Sequence, residues 1–301
     1  MQRTYNARHI TSTTGSLGAA AAISNLLGLT ADQTAHALGI AATQVTGLRE
    51  MFGSHTKSFH PGRAAQNGLV AAILASNGYT SSLEALEAKR GWVNVVGNDD
   101  KLAEVVSTLS GTWEIEKNSF KPFPCGIVIH PVIDGCVQLH GSGRCGKLDD
   151  IDYVQLTVHP LVLELTGKTT PRDGLEAKFS VYHGAAVGLL FGKATPAQYE
   201  DDVILDPRVI RLREKVHATA DSGCRPNECH ITVDFASGAS VENHIDHAVG
   251  SVEAPMSDAQ LTEKFIDQCA PVLGEERARK ANEWCWGLDK HTDIREIRDI
   301  I

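Results

Sequence analysis

The chain has 301 residues with 37 acidic and 28 basic side chains, a net charge of −9, which argues against a general nucleic-acid binder because such proteins present a basic face. Apolar residues make up 42% and charged residues 22%, enough to bury a sizeable core in one large or two smaller domains without long disordered stretches. Seven cysteines occur without a CxxC pair, the opening MQRTYNARHITSTTG has neither an apolar signal core nor a transit-peptide pattern, and no run approaches about 18 uninterrupted apolar residues. Reduced thiols, a cytoplasmic location and no membrane span are therefore expected.

From Gly15 to about Gly97 the sequence is rich in Ala and Leu and is divided by Gly, Ser and Thr, the pattern of short packed helices. The segment 16-SLGAAAAISNLLG-28 has small residues on nearly every side and is expected to be buried in a bundle. Thr30 with Gln33, and Ser81 with Glu84, have the capping-box spacing, in which a hydroxyl and a Glu/Gln side chain satisfy free N–H groups reciprocally. A further helix is expected over about 34–47. Pro61 suits the first turn of a helix running to about Ser76, where its missing N–H needs no partner.

After Lys117 the pattern changes. Alternation in 151-IDYVQLTVH-159, with Val154, Leu156 and Val158 on one face, and in 230-HITVDF-235 predicts strands. Helices are expected around 131–140, 178–191 and 207–217, and GSGRCG at 141–146 as a turn. From Ser257, which forms a capping box with Gln260, helix returns, and 275-EERARKANEW-284 is strongly helix-forming. The expected fold class is mainly α with an inserted α+β domain. Residues 1–117 form the first part of a helical domain, 118–256 the α+β domain, and 257–301 C-terminal helices returning to the helical domain.

The stretch 54-SHTKSFHPGRAAQNG-68 gathers Lys57, His60 and Arg63 around one Pro-Gly turn. A helix entrance at Pro61 would leave N–H groups and a partial positive charge for an anion. Lys57 and Arg63 would strengthen it, and His60 could donate a hydrogen bond or move a proton near neutral pH. Three further histidines stand near helix starts: His9 before ITSTTGSLG, His130 before Pro131, and His183, next to Tyr182, early in 178-KFSVYHGAAVGLL-190. A metal site is not expected, since His244 and His247 would lie on opposite faces of a strand and no carboxylate or Cys is spaced to complete a set. Dinucleotide, P-loop and nucleophile-elbow motifs are absent from the sequence.

Several blocks together are familiar: 9-HITSTTGSLGAAAA-22, 34-TAHALGIAATQVTGL-48, 56-TKSFHPGRAAQNG-68, 120-FKPFPCGIVIHPVID-134, 177-AKFSVYHGAA-186 and 246-DHAVGSVEAPMSDAQLTEKF-265. In order along the whole chain they resemble the MmgE/PrpD family, which includes 2-methylcitrate dehydratases, cis-aconitate decarboxylases and iminodisuccinate epimerases. The resemblance implies a helical domain joined to a smaller α+β lid, a cleft between them for a di- or tricarboxylate, and no required cofactor. By position it implies that His9, Lys57 and His130 match the family's cleft residues; His60, Gly62 and Arg63 of the basic turn, and Lys121 of 120-FKPFP-124, are taken beside them as candidate binding residues. Many members have a tyrosine where this chain has His183, with Tyr182 one place earlier, so either could serve. Members usually carry a long helical segment before the His9 block, whereas this sequence begins almost at His9. A shortened chain would leave an apolar face uncovered, so self-association, most simply a homodimer, or aggregation is expected, with little or no activity.

The chemistry expected is that of a cofactor-independent carbon–oxygen lyase of the 2-methylcitrate dehydratase type. Removing a proton next to a carboxylate needs a base of near-neutral pKa and cationic or N–H partners for the developing charge. Lys57 and the helix entrance would hold the carboxylate, and His9 and His130 would be the acid/base pair. Decarboxylation and epimerisation draw on the same parts. The alternative from another class is a catalytically inactive protein that binds carboxylates or partners.

Overall fold

A computed structural model describes residues 8–45, 47–97, 102–108, 111, 113–146 and 148–301; the opening MQRTYNA lies outside them. The fold is mainly α with a small α+β part, and the chain divides into two compact units, residues 1–116 and 117–301.

The first unit is built on α1 (Ile10–Leu26), α2 (Ala31–Ala42) and α3 (His55–Ser76). The buried positions of α1 are Ser12, Thr13, Ser16, Ala20 and Ser24, and those of α3 include Ala64, Asn67, Gly68, Ala71, Ala72 and Ala75. Both sets recur every three or four residues, one helix face each. Small residues let the two backbones approach closely. A Cβ added to Gly68 would lie 2.4 Å from the Ala19 Cβ and 2.5 Å from the Ala20 nitrogen, so glycine is required at this crossing. α2 opens on the expected capping box, with Thr30 accepting from the Gln33 N–H and Gln33 reaching back to Thr30.

Two expectations in this unit need correction. The helix containing Pro61 begins at His55, with Ser54 as its N-cap, and Pro61 lies inside it. A proline there cannot donate to the carbonyl one turn back and costs roughly 3 kcal/mol; the packing of the buried face against α1 outweighs that loss. The anion-binding entrance expected at Pro61 is therefore not formed. Ser81 and Glu84 do not cap a helix either, because residues 83–90 are turns and bends. The Ser81 hydroxyl instead donates to the His36 carbonyl at 2.9 Å, and its N–H to His36 Nδ1 at 3.1 Å, tying this segment to α2.

The second unit contains a four-stranded sheet in the order β2-β1-β3-β4, from β1 (Ile151–Val158), β2 (Val216–Ala220), β3 (Cys229–Phe235) and β4 (Ser240–Ile245). β1 and β2 are parallel, and the other neighbours antiparallel. Helices α4 (His130–Gly141), α5 (Val181–Phe191) and α6 (Pro207–Glu214) supply the second layer. As expected, Val154, Leu156 and Val158 share the buried face, joined there by Ile231 and Val233 of β3. β2 corrects the helix expected over 207–217. That helix stops at Glu214, and Val216–Ala220 pairs with β1 because its backbone groups need sheet partners once the helix has ended. At the C-terminal end, α7 (Asp258–Leu273) opens on the expected Ser257 capping box and packs against α8 (Glu275–Trp286). No helix of the described residues is long and apolar enough to cross a membrane.

Candidate functional site

Within the first unit the sequence-predicted residues His9, Lys57 and His60 come together. His9 is the N-cap residue of α1, with extended backbone (φ −82°, ψ 111°) and no side-chain capping bond, so its ring is available for tertiary contact. The His9 N–H donates to the Gly47 carbonyl at 3.1 Å. Gly47 has φ +114°, and a Cβ there would lie 2.7 Å from the Ser12 Cβ and 3.4 Å from His60 Nδ1. Glycine thus lets this segment pass tightly against α1 and α3. His60 is buried on α3, and its Nδ1 lies 3.0 Å from His9 Nδ1. The Phe52 ring packs edge-on to His9 with centroids 5.2 Å apart.

A contact between two Nδ1 atoms dictates the tautomers. One ring must carry the Nδ1 proton and the other must accept it. The donor ring then has a bare Nε2, a base, and the acceptor ring carries Nε2–H, an acid. Burial, followed by the charges of Lys57, His60 and Arg49, pulls the His9 pKa below the usual imidazole range, which keeps the ring neutral and able to take a proton at pH 7. Lys57 sits one turn before His60. Arg63 and Gly62 occupy exposed positions of the same helix, and Arg63 Nη1 donates to Gln66 Oε1 at 2.8 Å.

The second unit holds a separate group around His130, the first residue of α4. Its ring is buried, edge-on to Phe123 at 5.3 Å, and Nε2 has no hydrogen-bond partner among the described residues. An unsatisfied buried nitrogen costs about 1–3 kcal/mol, a cost that a ligand atom would relieve. Burial and then the Lys121 charge push the His130 pKa down to about 4, against backbone hydrogen bonds to Cys125 and Phe123 that raise it. Lys121 Nζ donates to the Cys125 carbonyl at 3.1 Å. His130 lines a cavity of about 260 Å³ together with Phe120, Ile127, Asn227, Val249 and Gly250. Asp134 fixes one wall, since its Oδ2 accepts from the Val249 N–H at 2.8 Å.

His183 occupies a different environment. It is fully buried, its Nε2 lies 2.9 Å from the Gln198 carbonyl, and its ring meets Tyr199 edge-on. Burial holds its pKa down at about 4. Tyr182 is half-buried against the same apolar core. Sequence reasoning missed Phe52 and Gly47 beside His9, and Asn227 and the 248–250 turn beside His130. The turn falls inside the block 246-DHAVGSVEAPM-256 and Gly47 inside 34-TAHALGIAATQVTGL-48, whereas Phe52 and Asn227 lie outside the quoted blocks.

Residues 1–105 match the MmgE/PrpD N-terminal domain, and residues 123–288 match the MmgE/PrpD C-terminal domain. The chain is 27% identical over 319 residues to a cis-aconitate decarboxylase of Aspergillus terreus, covering 98% of this chain and 65% of that protein. It is 28% identical over 273 residues to the Homo sapiens cis-aconitate decarboxylase, covering 88% and 56%. Against a 2-methylcitrate dehydratase of Salmonella typhimurium it is 27% identical over 253 residues, covering 76% and 52%. The chain therefore spans between about half and two thirds of the length of these relatives. With both domains matched in order, it belongs to the MmgE/PrpD family.

Proposed function

We propose that the chain carries the acid/base and anion-holding residues of a cofactor-independent lyase for a di- or tricarboxylate, in a dehydration of the 2-methylcitrate dehydratase type. The observation that carries this reading is the 3.0 Å contact between His9 and His60, one helical turn from Lys57. A half-buried imidazole packed on a buried one, together holding one base and one acid, suits an elimination. The bare Nε2 takes the proton from the carbon next to a carboxylate, and the electron pair forms the C=C bond as the C–O bond breaks. The leaving hydroxide takes a proton from an acid and departs as water. Lys57, in the first turn of α3, holds the carboxylate as its charge grows. His130, with Nε2 unsatisfied beside a cavity, is the second acid/base residue of the reading, and Lys121 its binding partner. His183, sealed in the core, enters as a structural residue.

Decarboxylation is the second reading, supported by the wider coverage of this chain by the Aspergillus terreus decarboxylase than by the Salmonella dehydratase. Both readings share the same carboxylate-holding residues. A homodimer belongs to the same proposal, supported by the exposed Phe59, Leu69 and Ile73 of α3; light scattering tests it. The free state of the seven cysteines supports a cytoplasmic location.

The test is turnover of 2-methylcitrate and of cis-aconitate followed by NMR, which reads dehydration and loss of carbon dioxide separately. His9→Gln and His130→Gln are each expected to lower turnover by about 10²–10⁴ while preserving the fold. Lys57→Ala is expected to weaken tricarboxylate binding by roughly 1.5–3 kcal/mol in calorimetry. Turnover at the parent rate in both histidine variants would sink the acid/base assignment. Carboxylate binding without turnover of either substrate would favour a non-catalytic binding protein.

A further inference from the structure

The outer face of the sheet carries a group of side chains that the proposed lyase chemistry does not use. β3 and β4 are antiparallel, and His230 stands directly opposite His244 in their register. Their rings stack, with centroids 4.1 Å apart and planes 3° from parallel. Glu228, immediately before β3, and Asp246, immediately after β4, lie beside this pair, each within 4 Å of His244 Nε2. Glu-x-His at the entry to β3 and His-x-Asp at the exit from β4 thus form a two-by-two grid.

The distances within the grid are those of groups sharing one centre. Glu228 Oε1 lies 3.1 Å from His244 Nε2 and 3.4 Å from His230 Nε2, and Asp246 Oδ1 lies 3.8 Å from His244 Nε2. One ligand atom from each of Glu228, His230 and His244 falls within 4.8 Å of the others. Arg225 fixes the carboxylates from behind: its Nε donates to Glu228 Oε2 at 2.9 Å and its Nη2 to Asp246 Oδ1 at 2.7 Å. Glu228 therefore presents its other oxygen, Oε1, to the histidines, an outer contact of the kind that orients metal ligands. His247, considered as a partner of His244 from sequence, is engaged elsewhere, with Asn227 at 2.8 Å. The carboxylate comes instead from the turn before β3, which spacing within one strand could not show.

We propose that Glu228, His230 and His244 form a surface site for one divalent transition-metal ion of Zn²⁺ type, with Asp246 beside it and water completing the shell. Two imidazoles and one carboxylate are the borderline donors that such an ion takes. At metal–nitrogen distances of about 2.0–2.1 Å, the two rings must turn from parallel so that both Nε2 lone pairs converge on the ion. That rearrangement, together with exposure of the histidines, sets the expected affinity on the order of micromolar rather than nanomolar. The site is independent of the lyase reading, and its test needs no activity.

The test is titration of the full chain with Co²⁺, followed by its visible absorption, and then displacement by Zn²⁺. One saturable equivalent is expected. His230→Ala and His244→Ala should each weaken it by roughly tenfold or more, and Glu228→Gln, which keeps the side-chain shape, should weaken it too. His217→Ala, on the same sheet face but stacked on Tyr153, should bind as the parent does. Circular dichroism checks that each variant is folded; should either alanine variant unfold, Glu228→Gln decides. Absence of saturable binding below about 1 mM, parent-like binding by the histidine and Glu228 variants, or a near-ultraviolet thiolate-to-cobalt band showing cysteine ligation would overturn the proposal.

Discussion

The interior of α1, α2 and α3 is made of Ala20, Ala37, Ala41, Ala71, Ala72 and Ala75, with buried Ser12, Ser16 and Ser24 beside them. The interior of the second unit is made of Ile129, Ile133, Leu139, Leu156, Leu189 and Ile231. In the first unit many large apolar side chains point outward: Leu26 is 78% exposed, Phe59 62% and Ile73 46%. Small interiors draw helices together and fix where they cross, but each residue removes little apolar surface from water. Large interiors do the reverse. The first unit therefore holds its site residues by close backbone approach, and the second by bulk.

The sharpest way to break this comparison is to remove volume from the second unit. Leu156→Ala leaves a cavity beneath the sheet and should cost about 2–5 kcal/mol in urea unfolding. No single truncation among the alanines of the first unit should approach that value. An equal loss from Ala71→Gly would show that the two interiors do not differ as described.

Acid should also separate the units. His130 and His183, both in the second, have folded pKa values near 4 against an ordinary imidazole value of 6.5. Between those limits the unfolded chain binds protons that the native state excludes, so stability rises with pH across that window and is lost as pH falls through it. Each histidine contributes on the order of 2–3 kcal/mol by pH 4, and nothing further above about pH 6.5. His183→Gln keeps a donor for the Gln198 carbonyl and should flatten part of this acid limb. Denaturant midpoints measured from pH 7 to pH 4 check it; an unchanged slope would mean that His183 is protonated in the native state.

How much of this was legible in the sequence depended on the range of the interaction. The buried face of β1, the Thr30 and Ser257 caps and the turn after α4 are local and followed from periodicity and spacing. Pro61 misled because a local preference for the first turn competes with the packing of a whole helix face, which single-sequence reasoning cannot weigh. Ser81 misled because its hydroxyl is used by His36, more than forty residues earlier. In the candidate site, His9, Lys57 and His60 each stood out beside a helix start. Their meeting rests on the Gly47 segment, whose course nothing local announces.

Close approach should make the first unit intolerant of added atoms where the second is intolerant of lost ones. Gly68→Ala places a methyl group 2.4 Å from the Ala19 Cβ and 2.5 Å from a backbone nitrogen. Because backbone cannot rotate away, α1 and α3 must separate, at a cost of about 1–3 kcal/mol, despite the helix-propensity gain of about 1 kcal/mol that alanine brings. Gly62, on the same helix with nothing within 4 Å of an added Cβ, should show that gain alone.

The smallest effect concerns the caps. Thr30→Ala removes the hydroxyl that accepts from the Gln33 N–H at 3.2 Å and should cost about 1 kcal/mol. Ser257→Ala breaks the equivalent bond to Gln260 at the start of α7 and should cost a similar amount, since a cap is local and indifferent to the interior it serves. Ser81→Ala distinguishes capping from tertiary linkage. It frees the His36 carbonyl inside the first unit while ending no helix, so its loss should appear in global stability without a change in far-ultraviolet helicity. If the two cap variants differed by more than about 1 kcal/mol, the caps would be coupled to the packing of their helices after all, since α2 buries Ala37, Ala41 and Ala42 whereas α7 has no fully buried residue.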